Sequence, residues 1–187
     1  MANDYQETKV ITGLVRFSYT HVWEPAAVGE GSDKKYSVSL IIPKSDKRTV
    51  EAIKKAVEAA KQIGIAGKFG GKAPATLKLP LRDGDIDRPD DEAYKGAYFL
   101  NASCKTKPGI VDAKREEILD QTEFYSGCYG RASLNFYAFN TQGNKGIAAG
   151  LNNLQKLKEG EPLGGRMPAE EDFKDDFPIE GEEDFML

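Results

Sequence analysis

The sequence predicts a mainly β domain with one or two helices, and three observations support that fold class. Stretches 9–23, 35–42, 97–105 and 127–140 are rich in β-branched and aromatic residues or alternate apolar with polar ones, as half-buried strands do. Only stretch 45–64 has clear helical periodicity, and glycine and proline are concentrated between these segments. Four or five strands with one marked helix fit a five-stranded Greek-key barrel of the oligonucleotide-binding (OB) type, although this pattern alone equally allows other mixed folds.

The first predicted strand runs from Lys9 to Trp23 and stops before Pro25. Gly13 lies inside it and marks a bulge or a sharp bend of the kind that a closed barrel requires. In the second strand the alternation places one set of side chains towards the core, namely Tyr36, Val38, Leu40 and Ile42. The last clear strand, 127–140, alternates in the same way, with Ala132, Leu134, Phe136 and Ala138 on the core face.

One helix is predicted between the second and third strands. Ser45 is a suitable N-cap, and Gly64 is placed to end the helix. Its apolar residues fall at helical spacing, at Val50, Ile53, Val57 and Ala60. Segment 65–96 is expected to be loop-rich, and segment 112–121 is either a turn of helix or a loop.

The charge is distributed unevenly along the 187 residues. The net charge is −4, but residues 169–187 hold nine acids and one base, which leaves 21 acids and 25 bases in the preceding part. The body is therefore near +4 and the C-terminal segment near −8. This asymmetry favours a polyanion-binding body with an acidic interaction tail, which we expect to be disordered over residues 166–187.

Several classes of protein are disfavoured by what the sequence lacks. No apolar run approaches the roughly 18 residues needed to cross a bilayer, and the N-terminus lacks signal-peptide features, so we expect a cytoplasmic protein. Cys104 and Cys128 are too few for a disulfide framework and are expected to be reduced. With His21 as the single histidine, neither a zinc site nor a His-based nucleophile system is expected, and we predict no cofactor, no metal and no catalytic residue.

Two local patterns resemble ligand sites, one for phosphate and one for a metal ion. The glycine-rich stretch 66–73 fails as a P-loop, because the position of its first glycine is Ala66 and its lysine is followed by Ala73. It is either a basic loop that approaches phosphates or a plain connection. The acids Asp83, Asp85 and Asp87 suggest a metal-dependent nuclease as an alternative, while a solvated loop is the simpler interpretation.

Basic and aromatic residues are interleaved on the polar faces of the predicted strands. Cations that follow the phosphates and rings that stack on bases are how proteins bind single-stranded nucleic acid. The candidate phosphate contacts are Arg16, Lys34, Lys35, Lys105, Lys107 and Arg131. The candidate stacking residues are Phe17, Tyr19, Trp23, Phe99, Tyr125 and Tyr137.

Several stretches resemble a family of phage and prophage single-stranded DNA-binding proteins, first catalogued as a domain of unknown function. The resemblance is carried by 79–85 (LPLRDGD), 99–103 (FLNAS), 107–112 (KPGIVD) and 125–132 (YSGCYGRA), and it continues through 145–147, 151–155 and 160–165. It implies an OB-fold domain over residues 1–165, sequence-independent binding of single-stranded DNA, a role in phage replication or recombination, and a location in the host cytoplasm.

The tail is similar in kind to the acidic, Phe-bearing tails by which replication single-stranded DNA-binding proteins recruit partner proteins. The corresponding candidates are Phe173, Asp175, Asp176, Phe177, Glu182, Glu183, Asp184 and Phe185. This sequence departs from the commonest tails because it ends Phe185-Met186-Leu187. The resemblance therefore does not identify the partner that the tail recruits. A protein-interaction adaptor, whose acidic tail is its main functional part and whose body binds protein, is a separate alternative, and a homodimer stays open.

Overall fold

The computed structural model describes residues 7–27, 31–163 and Phe173. Their strands are β1 (Lys9–Ile11), β2 (Val15–Ala26), β3 (Lys35–Pro43), β4 (Arg82–Asp83), β5 (Ala97–Cys104), β6 (Gly109–Val111), β7 (Tyr129–Thr141) and β8 (Asn144–Lys158). Their helices are α1 (Lys47–Ala66) and α2 (Gly84–Asp87), with single 3-10 turns at Glu92–Tyr94 and Gln121–Glu123. In the part of the chain that is described, neither helix is long and apolar enough to cross a membrane.

Five of the strands close into a barrel. Strand β2 pairs with β3, β3 with β5, β8 with β7, and β7 returns to β2 through Val15 and Gly130, all antiparallel. The pair β5–β8 is parallel and completes the ring. The prediction of a mainly β, OB-fold-like five-stranded Greek-key barrel is confirmed, with β1, β4 and β6 added to the ring.

The first predicted strand is bent at Gly13, as its sequence indicated. Strand β1 pairs with β7, and after a break at residues 12–14 strand β2 turns to pair with β3 and continues to Ala26 instead of ending at Trp23. The Gly13 amide donates to Thr49 Oγ1 at 2.9 Å, and a Cβ on Gly13 would lie 2.6 Å from Asp46 Oδ2. A side chain at residue 13 would therefore displace the N-cap carboxylate at the start of α1.

The ends of α1 differ from the prediction. Asp46, not Ser45, is the N-cap, and its carboxylate accepts from the Thr49 amide at 3.2 Å. The helix continues past Gly64 to Ala66. Gly64 is buried where the helix packs on β7, and a Cβ there would lie 2.7 Å from the Ala138 Cβ. It serves close packing and does not end the helix.

Strand β8 was missed at the sequence level. Its glycines and asparagines lower its β-propensity, so its pattern is weak. It is formed by pairing with β7 through a two-residue hairpin, whose central residues Gln142 and Gly143 have φ values of 52° and 85°. Two consecutive positive φ values are typical of the hairpin turn that matches strand twist, but glutamine is not its usual first residue.

Apolar side chains fill two separate clusters. The larger one occupies the barrel and the underside of α1, and it includes Phe17, Leu40, Leu100 and Leu134. The smaller one lies on the other face of β3 and β5, where Ile41 and Phe99 pack with Tyr94 and Ala97. The segment between β4 and β5 therefore covers one end of this outer face and leaves the rest open.

Candidate nucleic-acid interface

A groove of about 390 Å³ crosses the outer face of β2, β3 and β5; we call it the strand-face groove. Register pairs Ser39 with Asn101 and Ser37 with Ser103, and these side chains face outward because the alternate residues of the same strands enter the core. The lining residues are Tyr19, His21, Ser37, Val38, Ser39, Arg88, Asn101, Ala102 and Ser103. In OB folds, the face of these central strands is where oligonucleotides bind.

Tyr19 projects into this groove from an irregular point of β2. The register with β3 shifts between Ser18 and His21, and Tyr19 has a φ of 46°. A positive φ is costly for a residue with a side chain, and bulges redirect side chains next to functional sites. The Tyr19 side chain is 53% exposed, so the bulge presents its ring to solvent.

Arg88 lies over the same ring and was not among the predicted site residues. Its Cζ is 5.3 Å from the ring centroid of Tyr19, 4.8 Å from that of Tyr94 and 5.2 Å from that of Phe99. Its Nη1 donates to the Tyr19 hydroxyl at 3.4 Å. Among the described residues Arg88 forms no ion pair. Its place after the acidic cluster gave no periodic signal, so only the tertiary structure identifies it.

A second cavity of about 530 Å³ adjoins the first and shares Tyr19 and His21 with it. Tyr125, a predicted stacking residue, lines this cavity with Ser126 and Leu163. The Tyr125 hydroxyl donates to Glu159 and accepts from the Gly160 amide at 3.1 Å, and its oxygen lies 2.9 Å from the Gly160 carbonyl oxygen. Partial burial, followed by the contact with Glu159, raises the pKa of Tyr125. Tyr19 thus stands between two concave surfaces.

Four predicted lysines and Trp23 are found near one end of the same three strands. Lys35 is the first residue of β3, and Lys34 comes directly before it. The pairing of Tyr36 with Cys104 places Lys105 directly after the adjacent end of β5. The Lys107 Nζ lies 5.0 Å from the Trp23 ring centroid, and Trp23 Nε1 donates to the Phe124 carbonyl at 3.0 Å. This arrangement forms a basic, aromatic margin to the strand-face groove.

The acids that suggested a metal site are held in ion pairs. The Lys44 Nζ lies 2.8 Å from Asp83 and 2.8 Å from Asp85, and Arg82 lies 2.8 Å from Asp87. The hydrogen bond from Lys44 lowers the pKa of Asp85. The described residues contain no group of three acids, histidines or cysteines placed to hold a metal ion. These acids instead anchor the segment that carries Arg88.

Two predicted stacking residues are corrected by their burial. Phe17 is 0% exposed and packs in the barrel against Phe124. Phe99 is 2% exposed and packs edge-on against Tyr94. Both rings are covered by protein on all sides, so neither can stack on a base in this structure. The pattern of β5 did not reveal the burial of Phe99, because the covering segment comes from elsewhere in the chain. In β2 the register shift after Ser18 separates Phe17, which faces the core, from Tyr19.

Three further candidates lie outside the groove. Arg16 donates to the carbonyls of Gly127 and Glu161, and Arg131 donates to the Thr12 carbonyl at 2.8 Å, so both hold backbone segments together. Tyr137 is 40% exposed on β7, beside α1. Strand β7 neighbours β2 and β8, not β3 or β5, which separates Tyr137 from the strand-face groove.

The tail candidates Asp175, Asp176, Phe177, Glu182, Glu183, Asp184 and Phe185 lie outside the described residues. Phe173 is described, and its side chain is 82% exposed.

Comparisons with known proteins agree with this geometry. The family model described as "Enterobacter phage Enc34, ssDNA-binding protein" matches residues 8–186. A protein named "Putative protein p50" from Acyrthosiphon pisum secondary endosymbiont phage 1 is 30% identical over an alignment 189 positions long, gaps included, which covers 95% of this chain and 98% of that protein.

Two solved structures illustrate the structural likeness. The single-stranded DNA-binding protein from bacteriophage Enc34 in complex with ssDNA superimposes with a TM-score of 0.73 and 30% identity, covering 86% of this chain and 92% of that one. The protein gp2.5, a single-stranded DNA-binding protein encoded by bacteriophage T7, superimposes with a TM-score of 0.58 at 20% identity, over 92% of this chain and 96% of that one, which shows a shared fold.

Proposed function

Because the chain belongs to the family of phage single-stranded DNA-binding proteins that is named after phage Enc34, we propose that it binds single-stranded DNA without sequence preference and without catalysing a reaction. The observation that supports this proposal most is the strand-face groove, in which an exposed ring and an arginine without an ionic partner among the described residues lie on the outer face of an OB barrel. Aromatic rings contact any base, so such a groove accepts any sequence.

In this proposal the bound DNA strand crosses β3 and β5, and its phosphates face the basic margin. Lys34, Lys35, Lys105 and Lys107 neutralise phosphates, while Tyr19, Trp23 and Tyr125 offer ring surface to bases. Ser37, Ser103 and Asn101 supply hydrogen-bonding groups that do not select one base. The Ser39 hydroxyl is buried and pairs with the Tyr94 hydroxyl at 3.2 Å. The family model and the two solved structures are described as single-stranded DNA-binding proteins, and the acids of the nuclease alternative are already paired with Lys44 and Arg82.

The cellular role that we propose is in phage DNA replication or recombination, in the cytoplasm of the host. A protein that binds only the open strand shifts hairpins towards the unpaired form by mass action, without consuming energy. Coating exposed strands in this way protects them and keeps them available to polymerases and recombination enzymes.

We assign the acidic segment 166–187 two parts in this role. Its acids compete with DNA phosphates for the basic margin, and its phenylalanines offer apolar surface to a replication or recombination protein. Deleting residues 169–187 is expected to raise affinity for single-stranded DNA and to abolish partner binding. If the truncated protein bound DNA with unchanged affinity, competition between the tail and DNA would be refuted, and only the recruitment of a partner protein would be left for the tail.

Fluorescence anisotropy with labelled single-stranded DNA, duplex DNA and RNA, at two salt concentrations, tests the proposed activity. We expect tight binding of single strands, much weaker binding of duplex, and quenching of Trp23 on addition of oligonucleotide. Absence of binding and of quenching would favour the adaptor alternative. Cleavage of the labelled strand in the presence of magnesium or manganese would favour the nuclease alternative instead.

A further inference from the structure

We propose that Tyr19 divides the interface into two base subsites and that Arg88 is a positioning residue, which holds the Tyr19 ring between them and does not contact a phosphate. The inference rests on the proposed binding of single-stranded DNA and assigns parts within that site. It concerns the strand-face groove, the adjoining cavity with Tyr125, and the segment between β4 and β5.

The two subsites follow from the shape of the surface around Tyr19. The strand-face groove, of about 390 Å³, and the Tyr125 cavity, of about 530 Å³, share only Tyr19 and His21 among their lining residues. The ring is half exposed and stands at the boundary between them. Successive bases of a single strand are splayed apart when they stack on protein rings. A ring that separates two cavities can therefore contact one base in each cavity.

The part of Arg88 follows from its surroundings, which are aromatic. Its guanidinium lies within 5.3 Å of the centroids of Tyr19, Tyr94 and Phe99, and it donates to the Tyr19 hydroxyl. Tyr94 and Phe99 are themselves buried, so they fix the guanidinium in place, and the guanidinium in turn fixes the one exposed ring. A planar guanidinium can stack on rings in this way, whereas an ammonium group cannot.

A rigid support keeps Arg88 in this position. Lys44, at the end of β3, bridges Asp83 and Asp85, and Asp85 Oδ1 accepts from the Gly96 amide at 3.0 Å. At Gly84 a Cβ would lie 2.3 Å from the Tyr94 carbonyl oxygen, so the segment folds tightly back on itself. The acidic cluster therefore positions Arg88 by tying its segment to the barrel.

A double-mutant cycle in affinity for a dT oligonucleotide tests the assignment. Tyr19→Ala is expected to weaken binding about tenfold or more, since a stacked base contributes roughly 1–3 kcal/mol. Arg88→Gln is expected to weaken binding severalfold in the wild-type background and to have no further effect in the Tyr19→Ala background, because it acts through that ring. Equal losses in both backgrounds would overturn the positioning role.

The salt dependence separates positioning from phosphate contact. Loss of a phosphate contact lowers the slope of log affinity against log salt by about 0.7 for single strands, so we expect Arg88→Gln to leave that slope unchanged. Arg88→Lys should weaken binding as Arg88→Gln does, although it keeps the charge. Arg48→Gln, an exposed arginine of α1 that lies outside the interface, is the matched control for loss of charge. A slope reduced by about 0.7 in Arg88→Gln alone would overturn the inference.

Stacking itself is read from 2-aminopurine, whose fluorescence falls when the base stacks. On an oligonucleotide just long enough to bind in one register, the probe is moved from position to position. Tyr19→Ala is expected to reduce quenching at two neighbouring positions and to leave the quenching at other positions, where Trp23 or Tyr125 stacks, unchanged. A reduction at one position only would overturn the two-subsite assignment. If the wild-type protein bound no oligonucleotide, the proposed function itself would be wrong. If it bound DNA but Tyr19 and Arg88 acted independently, only the present inference would be wrong.

Discussion

The rings of Phe17 and Phe124 lie 4.8 Å apart with an interplanar angle of 44°, and both are fully buried. Strand β2 therefore presents Phe17 to the core and, two residues later at a bulge, presents Tyr19 to solvent. The two aromatic residues look equivalent in the sequence, but Phe17 stabilises the core and Tyr19 lies in the interface.

Truncation of these two rings should have different consequences. Phe17→Ala removes a fully buried ring and is expected to lower the free energy of unfolding by about 3–5 kcal/mol. Tyr19→Ala removes an exposed ring and is expected to cost less than about 1 kcal/mol. Urea unfolding of the two variants measures both values. Equal destabilisation, or a Phe17→Ala protein of normal stability, would show that the burial of Phe17 is misassigned.

Replacing a single lysine of the basic margin should change the salt dependence of DNA binding. Lys35→Gln and Lys105→Gln are each expected to lower the slope of log affinity against log salt by about 0.7, because each removes one phosphate contact. Lys55→Gln, an exposed lysine of α1, is the matched control and should leave the slope unchanged. Equal slopes for all three variants would place the phosphate path elsewhere.

The ion pair between Lys44 and Asp85 should make the Asp85 carboxyl titrate at a lower pH than an ordinary carboxyl group. The hydrogen bond from Lys44 lowers the pKa of Asp85, so the contact is present above the ordinary carboxyl pKa of about 3.9 and is lost as pH falls through the lowered value. The Gly96 amide, which donates to Asp85, reports this change in an NMR titration. Lys44→Met should move the midpoint upward, and an unmoved midpoint would contradict the ion pair.

Close packing between β7 and β8 should make Gly130 intolerant of a side chain. A Cβ at Gly130 would lie 1.8 Å from the Gln155 carbonyl oxygen, which cannot move without breaking the pairing of the two strands. Gly130→Ala is therefore expected to cost about 1–3 kcal/mol or more. Thr141→Ala, at the exposed end of β7, is the tolerated control. Thermal unfolding that ranked the two variants equally would contradict this packing.

Local patterns in the sequence were sufficient for the elements that carry their own periodicity. The alternation of Val38, Leu40 and Ile42 predicted a strand, the apolar stripe predicted α1, and Gly13 indicated the bend. The choice of the OB barrel among mixed folds came from the family resemblance. Strand β8 was missed because pairing with β7 stabilises it more than its own residues do. Its partner strand supplies the hydrogen bonds that its composition does not predict.

The candidate site was predictable only in part, for a similar reason. Tyr19 and the basic margin were indicated by interleaved rings and charges along individual strands. Arg88 was not, because its position over Tyr19 depends on Lys44, Gly84 and Tyr94, which come from separate parts of the chain. The same segment buries Phe99, which alternation alone had placed on the open face.

The location of bound DNA is tested most directly by photo-crosslinking. A dT oligonucleotide that carries 5-iodouracil is bound, irradiated and digested, and the modified residues are identified by mass spectrometry. We predict adducts at Tyr19, with others at Trp23 or Tyr125, and none at Tyr137. Adducts at Tyr137 with none at Tyr19 would contradict the account, because the DNA would then lie beside α1 and not in the strand-face groove.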